Sequence, residues 1–444
     1  MSAKNLQAIV LAAGKSTRFK IEKIKLAEKI CGQEMLLYIT KLLEQMHIST
    51  TVIIGYQREI IKKILKNHHG DTLDFALQEH QQGTGHAILC AQQNFKNENI
   101  LIINGDMPLV TEAIIKELYK KHSKTNATIS FVVAHNTDPS TGTYGRVIQK
   151  NNFIEIVEAR DFEGDIQEHC FINAGIYIIK RKFLEKYLST LKDTNASHEF
   201  YITDLIRIAS RNGYKVSTVS VPFDHIRGIN TFKELWIAEQ IKRSEIIKYY
   251  MERGVRFSLA QSVNIDLDVS IGAGTLIDCS VHLLKGTKIG KNCIIQGFST
   301  LSNAQVGDSS IIYSHSIIYD SIIGKTAKIG PFAYIHEHVT IADNTVIGYF
   351  TVSYTHNKQQ YQETITGNNS LSTPGIIKKS TTPEVRNTNN SISNSCTNSC
   401  SDLLISNYSK KFRQTKHSKN AHKQTIKDAD IIVSVKKKDR VTIK

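Results

Sequence analysis

The sequence predicts an α/β protein in two folded parts. A doubly wound, Rossmann-like sheet comes first, and a left-handed parallel β-helix of hexapeptide repeats follows, trailed by a disordered basic tail. Three observations carry this. Over residues 5–230 short apolar runs alternate with amphipathic segments, which is the pattern of strands crossed over by helices. Over 265–350 aliphatic residues recur every six positions, a period that is neither helical nor a simple alternation. After Tyr349-Phe350 the period stops and a polar, low-complexity stretch, NTNNSISNSCTNSCSDLL (387–404), takes over.

In the first part the strand-like runs are AIVLA (8–12), TTVIIG (50–55), LDFAL (73–77), NILIING (99–105) and ATISFVV (127–133). EMLLYITKLLEQM (34–46) and REIIKKILKNH (58–68) place their apolar residues on one helical face, and a further helix is expected over 84–94. Ligands of such sheets bind beyond the carboxyl ends of the strands, where the winding reverses. Both LAAGKSTR (11–18) and NGDMP (104–108) begin at a strand end. Residues 231–253 read as one long helix linking the parts, which sets domains at 1–230, 231–254, 255–350 and 351–444.

The β-helix signal is a series: Ile271, Ile277, Leu283, Ile289, Ile295 and Leu301, then after a slip Val306, Ile312 and Ile318, and after a second slip Ile323, Ile329, Ile335, Ile341 and Ile347. Each such residue is expected to fill the interior of a three-sided prism. Prisms of this kind commonly pack as trimers. The tail buries too little apolar surface to offset the entropy of ordering. It reads either as an eroded domain or as the product of a frame shift.

Of the net charge of +15, +10 falls in 351–444, which holds sixteen Lys and Arg against six Asp and Glu. The remainder gives no nucleic-acid signal. Lys436-Lys437-Lys438 and Arg440 lack interleaved aromatics, so a solvated charge run is expected there. No apolar stretch reaches membrane-spanning length, and the amino-terminal run is too short for a signal peptide. The seven cysteines are scattered without a CxxC pair, which fits reduced thiols in a cytoplasmic protein.

LAAGKSTRFK (11–20) ends a buried strand in small residues and then gathers Lys15, Arg18 and Lys20. A Walker A loop would need a glycine where Ile9 stands, and a dinucleotide loop would need more than Gly14. The loop is therefore a third kind of phosphate-facing loop or a basic turn. Further along come Lys25, Gln78, QQGTGHA (81–87), NGDMP (104–108), TYGR (143–146), IVE (156–158), INAG (172–175), EFYITD (199–204) and GIN (228–230).

Together these resemble the bifunctional N-acetylglucosamine-1-phosphate uridylyltransferase / glucosamine-1-phosphate acetyltransferase family, over about residues 6–350. The resemblance implies a nucleotidyltransferase sheet that joins UTP and N-acetylglucosamine-1-phosphate into UDP-N-acetylglucosamine for cell-envelope precursors, with Mg2+ as cofactor and a homotrimer built through the β-helix. It implies that Leu11, Ala12, Ala13 and Gly14 line the nucleotide with backbone amides. Arg18 and Lys25, the candidate catalytic cations, contact its phosphates. Gln78, Gly83 and Thr84 recognise the uracil, Asp106 and Asn230 hold the metal, and Gly145, Glu158 and Asn173 bind the sugar. Each has a plainer reading: Asp106 could cap a turn, Lys25 could be a surface lysine, and Glu158 and Asn173 could be polar strand ends. Lys15 and Lys20 are expected on the surface, His86 within its helix, and Tyr201 and Thr203 as supports for a core helix.

In that family the β-helix also transfers acetyl from acetyl-CoA to glucosamine-1-phosphate. Here Ile329-Gly330-Pro331-Phe332-Ala333 matches, but the arginine segment that should follow reads Tyr334-Ile335-His336-Glu337. No lysine-rich turn, histidine motif or asparagine-tyrosine motif is recognisable after Phe350, and the setting of His356 gives no warrant for a base. Acetyl transfer is therefore expected to be lost. The alternatives are a still bifunctional enzyme, a transferase of another sugar or base, and a non-catalytic scaffold that senses sugar nucleotides.

Overall fold

The computed structural model describes residues 5–15, 19, 24–136, 142–151, 153–165 and 169–353, with the backbone of 363–365 and 376–377. Arg18, Lys20, His356 and nearly all of the basic tail lie outside the described residues.

The chain runs β1 (Leu6–Ala12), α1 (Met35–Gln45), β2 (Ser49–Ile54), α2 (Arg58–His69), β3 (Asp74–Leu77), α3 (Thr84–Cys90), β4 (Asn99–Asn104), α4 (Glu112–Thr125), β5 (Ile129–His135), β6 (Arg146–Lys150), β7 (Phe153–Val157), β8 (Phe171–Lys180), α5 (Arg181–Tyr187), α6 (Asp204–Arg211), β9 (Val216–Ser220) and α7 (Phe232–Met251). The nine strands form one sheet in the order β9-β5-β8-β4-β1-β2-β3, with the β6–β7 hairpin branching from β8. β1 pairs in parallel with β2 on one side and β4 on the other. The winding reverses across β1 and β4, and a ligand crevice is expected where their carboxyl ends diverge.

The apolar runs are near-continuous because both faces of the sheet are covered. Ala8, Val10, Val52, Leu101 and Ile103 pack into one core, and Ile9, Ile53, Ile100, Ile102 and Phe131 into another. The helix expected over 84–94 ends at Cys90. Ala91 leaves helical geometry at φ −93° and ψ 2°, and Gln92–Asn94 make a separate 3-10 turn. β8 runs antiparallel to both β4 and β5 and slips register between Asn173 and Tyr177. Gly175 sits inside that bulge at φ +73°, where a Cβ would stand 2.6 Å from Asn104 Nδ2, so only glycine fits without a shift.

α7 starts at a capping box: the Thr231 hydroxyl accepts from the Glu234 amide at 3.2 Å, while the Glu234 carboxylate accepts from the Asn230 amide at 2.6 Å. Beyond α7 the chain forms the parallel β-helix. Every aliphatic residue of the six-residue series is buried, and each lies in a short strand that pairs with the coils above and below, except that the end strands of Ile271 and Ile347 pair with one coil only. Both slips are absorbed at corners. The ladder steps from Ile277 to Ile295 and then to Ile312, one residue sooner, without losing register. The prism joins the sheet through Cys31 and Gly32: the Leu267 amide donates to the Cys31 carbonyl at 2.9 Å, and Gly32, at φ +81°, lies so close to the Asp266 carboxylate that a Cβ would stand 2.6 Å from it.

Candidate active site

Three groups of side chains meet beyond the carboxyl ends of β1 to β4. The first surrounds Asp106, two residues past β4. The Gly105 amide donates to the Leu11 carbonyl at 2.9 Å, which ties the two strand ends, and the Ile229 amide donates to the Asp106 carbonyl at 3.0 Å. That second bond brings Asn230 alongside, and the capping box of α7 fixes its backbone. Lys25, in the single turn Lys25–Ala27, reaches in from the other side. Its Nζ lies 2.6 Å from Asp106 Oδ2 and 3.2 Å from Asn230 Oδ1. Asp106 Oδ1 is buried and has no partner among the described residues.

The loop from Leu11 to Gly14 opens beside this group. Ala12 and Ala13 are buried, Leu11 is half-buried and Gly14 is exposed. A Cβ on Gly14 would meet nothing within 4 Å, so the protein itself does not require the glycine; the space it leaves faces outward. Arg18 cannot be placed, since it falls outside the described residues.

Gln78, Gly83 and Thr84 form the second group. The Gln78 side-chain amide donates to the Gly83 carbonyl at 3.1 Å and lies 3.1 Å from His86 Nδ1. Gly83 has φ +102°, and a Cβ there would stand 2.6 Å from the Phe200 carbonyl oxygen. Thr84 accepts from the Ile202 amide at 3.1 Å, and the Gly85 amide donates to the Phe200 carbonyl at 2.7 Å. Gly55 links this group to the first loop. A Cβ on it would come within 2.9 Å of the Ala13 Cβ and 2.8 Å of the Gln78 carbonyl oxygen.

The third group is Gly145, Glu158 and Asn173. The Asn173 amide donates to the Gly145 carbonyl at 2.9 Å, and a Cβ on Gly145 would stand 3.3 Å from Glu158 Oε2. Burial pushes the Glu158 carboxyl above its ordinary pKa, and a 2.9 Å hydrogen bond from the Thr203 hydroxyl pulls it back. The side chain of Asn173 already works within the protein. Its Nδ2 donates to the Tyr177 hydroxyl at 2.6 Å and its Oδ1 accepts from the Gly175 amide at 3.1 Å, inside the bulge of β8.

Tyr144 joins the third group to the first. Its hydroxyl accepts from the Gly228 amide at 3.0 Å, and burial raises its pKa to about 12. Tyr144 within TYGR carries no role at the level of sequence, where Thr203 reads only as a support for a core helix; the pairing of Thr203 with Glu158 needs the fold. Tyr177 lies within a strand and carries no signal in the sequence. His86 packs within α3, beside Gln78 and Phe200.

Residues 8–194 match the family model of the MobA-like NTP transferase domain, and residues 259–365 match that of the GMPPB C-terminal domain. The sheet is thus a nucleotidyltransferase domain. Among curated proteins, the bifunctional protein GlmU of Clostridioides difficile (strain 630) is 34% identical over 351 residues, which span 78% of this chain and 75% of that protein. The protein of the same name from Clostridium botulinum (strain 657 / Type Ba4) is 33% identical over 348 residues, 77% of this chain and 75% of that one. Identity at this level across both the sheet and the β-helix shows that the chain belongs to the family of the bifunctional protein GlmU.

Proposed function

We propose that this chain transfers the uridylyl group of UTP to N-acetylglucosamine-1-phosphate and releases pyrophosphate, with Mg2+ as its metal. The observation that carries the reading is the Lys25–Asp106–Asn230 group at the point where the sheet reverses, flanked by one glycine loop, one Gln–Gly–Thr pocket and one polar pocket around Glu158. A phosphate oxygen of the sugar attacks the α-phosphorus of UTP. One P–O bond forms, and the bond from the α-phosphorus to the bridging oxygen of the β-phosphate breaks. The attacking oxygen is already ionised at neutral pH, so no general base is called for. The barrier is repulsion between anions, and positioning with charge neutralisation lowers it. Lys25 supplies a mobile positive charge, and Arg18 is assigned a planar donor fork.

Two features fit a hard cation: the donor set is a carboxylate with a carboxamide oxygen, and Asp106 Oδ1 is buried without a partner among the described residues. Among those residues no group of three or more His, Cys, Asp and Glu could hold a metal, so phosphate oxygens and water would complete the shell. When bound, the metal draws negative charge from the α-phosphate. Gln78 and Gly83 would read the base, with Thr84 at the turn of α3. Gly145, Glu158 and Asn173 would hold the sugar.

We assign the chain to the cytoplasm, where UTP is at hand; among the described residues no helix is long and apolar enough to cross a membrane. We also assign it to a homotrimer joined through the prism. One corner of the prism supports that assignment. Phe298, His315, Phe332 and Phe350 stack there in successive coils with ring centroids 5.0, 4.9 and 5.1 Å apart. The three phenylalanines stay 46–57% exposed. The outward residues flanking these rings include Ile294, Ile311, Ile317, Val346 and Val352, interrupted by Thr300 beside Phe298 and by Lys328 and Tyr334 beside Phe332, whereas the other two corners carry residues such as Asn292, Asn303, Asp320 and Asn344. A repeating apolar edge of this kind fits coil by coil against a parallel copy of itself.

The test is pyrophosphate release from purified protein given magnesium, UTP and N-acetylglucosamine-1-phosphate, with dTTP, ATP and CTP run alongside. Asp106→Ala should lower the rate by roughly a hundredfold or more. Absence of release from folded wild-type protein would overturn the enzyme reading.

A further inference from the structure

We infer that Lys25 is a cation gate: its ammonium takes the place of the divalent metal between Asp106 and Asn230 until nucleotide draws it away, so metal and nucleotide enter as a coupled pair. The inference rests on the metal reading above and goes beyond it.

The geometry is direct. The two oxygens best suited to a metal, Asp106 Oδ2 and Asn230 Oδ1, are the two that Lys25 Nζ touches, at 2.6 and 3.2 Å. The side chains of Lys25 and Asp106 are only 11% and 16% exposed, so solvent screens the pair weakly. A divalent ion arriving alone would have to displace the ammonium from its carboxylate and then sit close to a like charge. In return it would gain a single carboxylate and a carboxamide. A nucleotide changes both sides of that balance. Its phosphates give the ammonium a new partner, which a flexible four-carbon stem can follow, and they supply further oxygens to the metal. Asp106 Oδ1, which the lysine leaves unpaired, then gains a cation as well. The coupling is reciprocal: whatever factor nucleotide adds to metal affinity, metal adds to nucleotide affinity. Removing the ammonium should strengthen binding of the bare metal, weaken binding of the nucleotide and shrink the coupling between them.

The experiment titrates the full-length protein with Mn2+ and reads the free ion by electron paramagnetic resonance. It is done with and without α,β-methylene-UTP, a nucleotide that cannot be cleaved at the reacting bond, and with no sugar phosphate present. Wild type should hold Mn2+ weakly alone and about tenfold or more tighter with the analogue. Lys25→Met should hold bare Mn2+ about tenfold tighter than wild type, with a smaller gain from the analogue. Lys25→Gln gives the same readout should the methionine variant fail to fold. Bare Mn2+ binding in these variants that is no tighter than in wild type, while Asp106→Asn still abolishes binding with the analogue, overturns the gate and leaves the metal site standing. Binding with the analogue that ignores Asp106→Asn overturns the metal site, and the gate with it. Thermal melting of wild type supplies a check without variants: Mg2+ alone should leave the transition in place and Mg2+ with analogue should raise it, whereas an equal rise with Mg2+ alone counts against the gate.

Discussion

Glu158 is a carboxylate held where charge is costly. Burial raises its pKa, so the folded protein keeps its proton to a higher pH than the unfolded chain does. As pH climbs past the ordinary carboxyl value, the unfolded state ionises first, and this residue's contribution to stability falls until the folded pKa is passed. At neutral pH its charge therefore works against folding, and the Thr203 hydroxyl offsets only part of that. A group kept at such a cost points to binding. Glu158→Gln should raise the melting temperature at pH 7.5, with the gain vanishing toward pH 4, and should raise KM for the sugar phosphate about tenfold, the scale of one hydrogen bond to a charged group. Thr203→Val, which removes the offset, should lower the melting temperature at pH 7.5. Melting curves across pH, together with steady-state kinetics, check both. A Glu158→Gln variant with unchanged KM would remove Glu158 from the sugar site. The residue itself is legible as the polar strand end that closes IVE. Its partner is not, because Thr203 is forty-five positions away and only the packing of α6 against β7 joins them.

The elements divide by how locally their pattern is written. β1, β2, β4 and β5 stand where their apolar runs stand, since each is covered on both faces, whereas β3 lies at the sheet edge with only Ala76 buried and still falls within its run. β6 to β9 carry no clear strand pattern because two of them make a half-buried hairpin, β9 is mostly half-buried, and β8 reads as the motif INAG rather than as a ten-residue antiparallel strand. The prism was legible coil by coil because a single interior position per face fixes its period. Its outer surface was not, since corner stacking depends on backbone conformation. Phe298, Phe332 and Phe350 have φ between +52° and +62°, where a bulky residue costs about 1–2 kcal/mol. Stacking returns about 0.5–1.5 kcal/mol per pair. The two nearly cancel, so the corner gains little within one chain, and its use is better sought between chains. Asparagine is at ease in that conformation. The triple replacement Phe298→Asn, Phe332→Asn and Phe350→Asn should leave the circular dichroism spectrum and melting temperature nearly unchanged while converting trimers to monomers in sedimentation. A trimer that survives the replacement would move the interface to another face.

At the scale of the whole molecule, every described residue assigned to uridylyl transfer lies between Leu11 and Asn230, and α7 fixes the last of them through its amino-terminal cap. The prism supports this site from outside, through the contact of Cys31 and Gly32 with Asp266 and Leu267, and among the described residues adds no side chain to it. The first reaction can thus persist whatever becomes of the second. The relatives carry the name bifunctional, and the likeness to them runs through most of the β-helix. The sequence departs where the second reaction would need its charges. An acceptor sugar phosphate calls for cations at its phosphate, and an amine must lose a proton as it attacks a thioester, which calls for a base within hydrogen-bond reach. Positions 334–337 present Tyr334, Ile335, His336 and Glu337, with no arginine among them. Tyr334 lies on the outer side of a strand that pairs with Val352, and the His336 amide faces the Ser353 carbonyl at 3.3 Å, so this segment is built into the ladder. We therefore expect protein that makes UDP-N-acetylglucosamine to release no coenzyme A thiol above background from acetyl-CoA and glucosamine-1-phosphate, read with a thiol-reactive dye. Thiol release at a rate comparable to pyrophosphate release would mean that residues beyond Phe350 supply the missing cations and base. Prior acetylation of the sugar phosphate by a separate acyl-transfer enzyme would then not be required. Without such release, that separate step must precede this one.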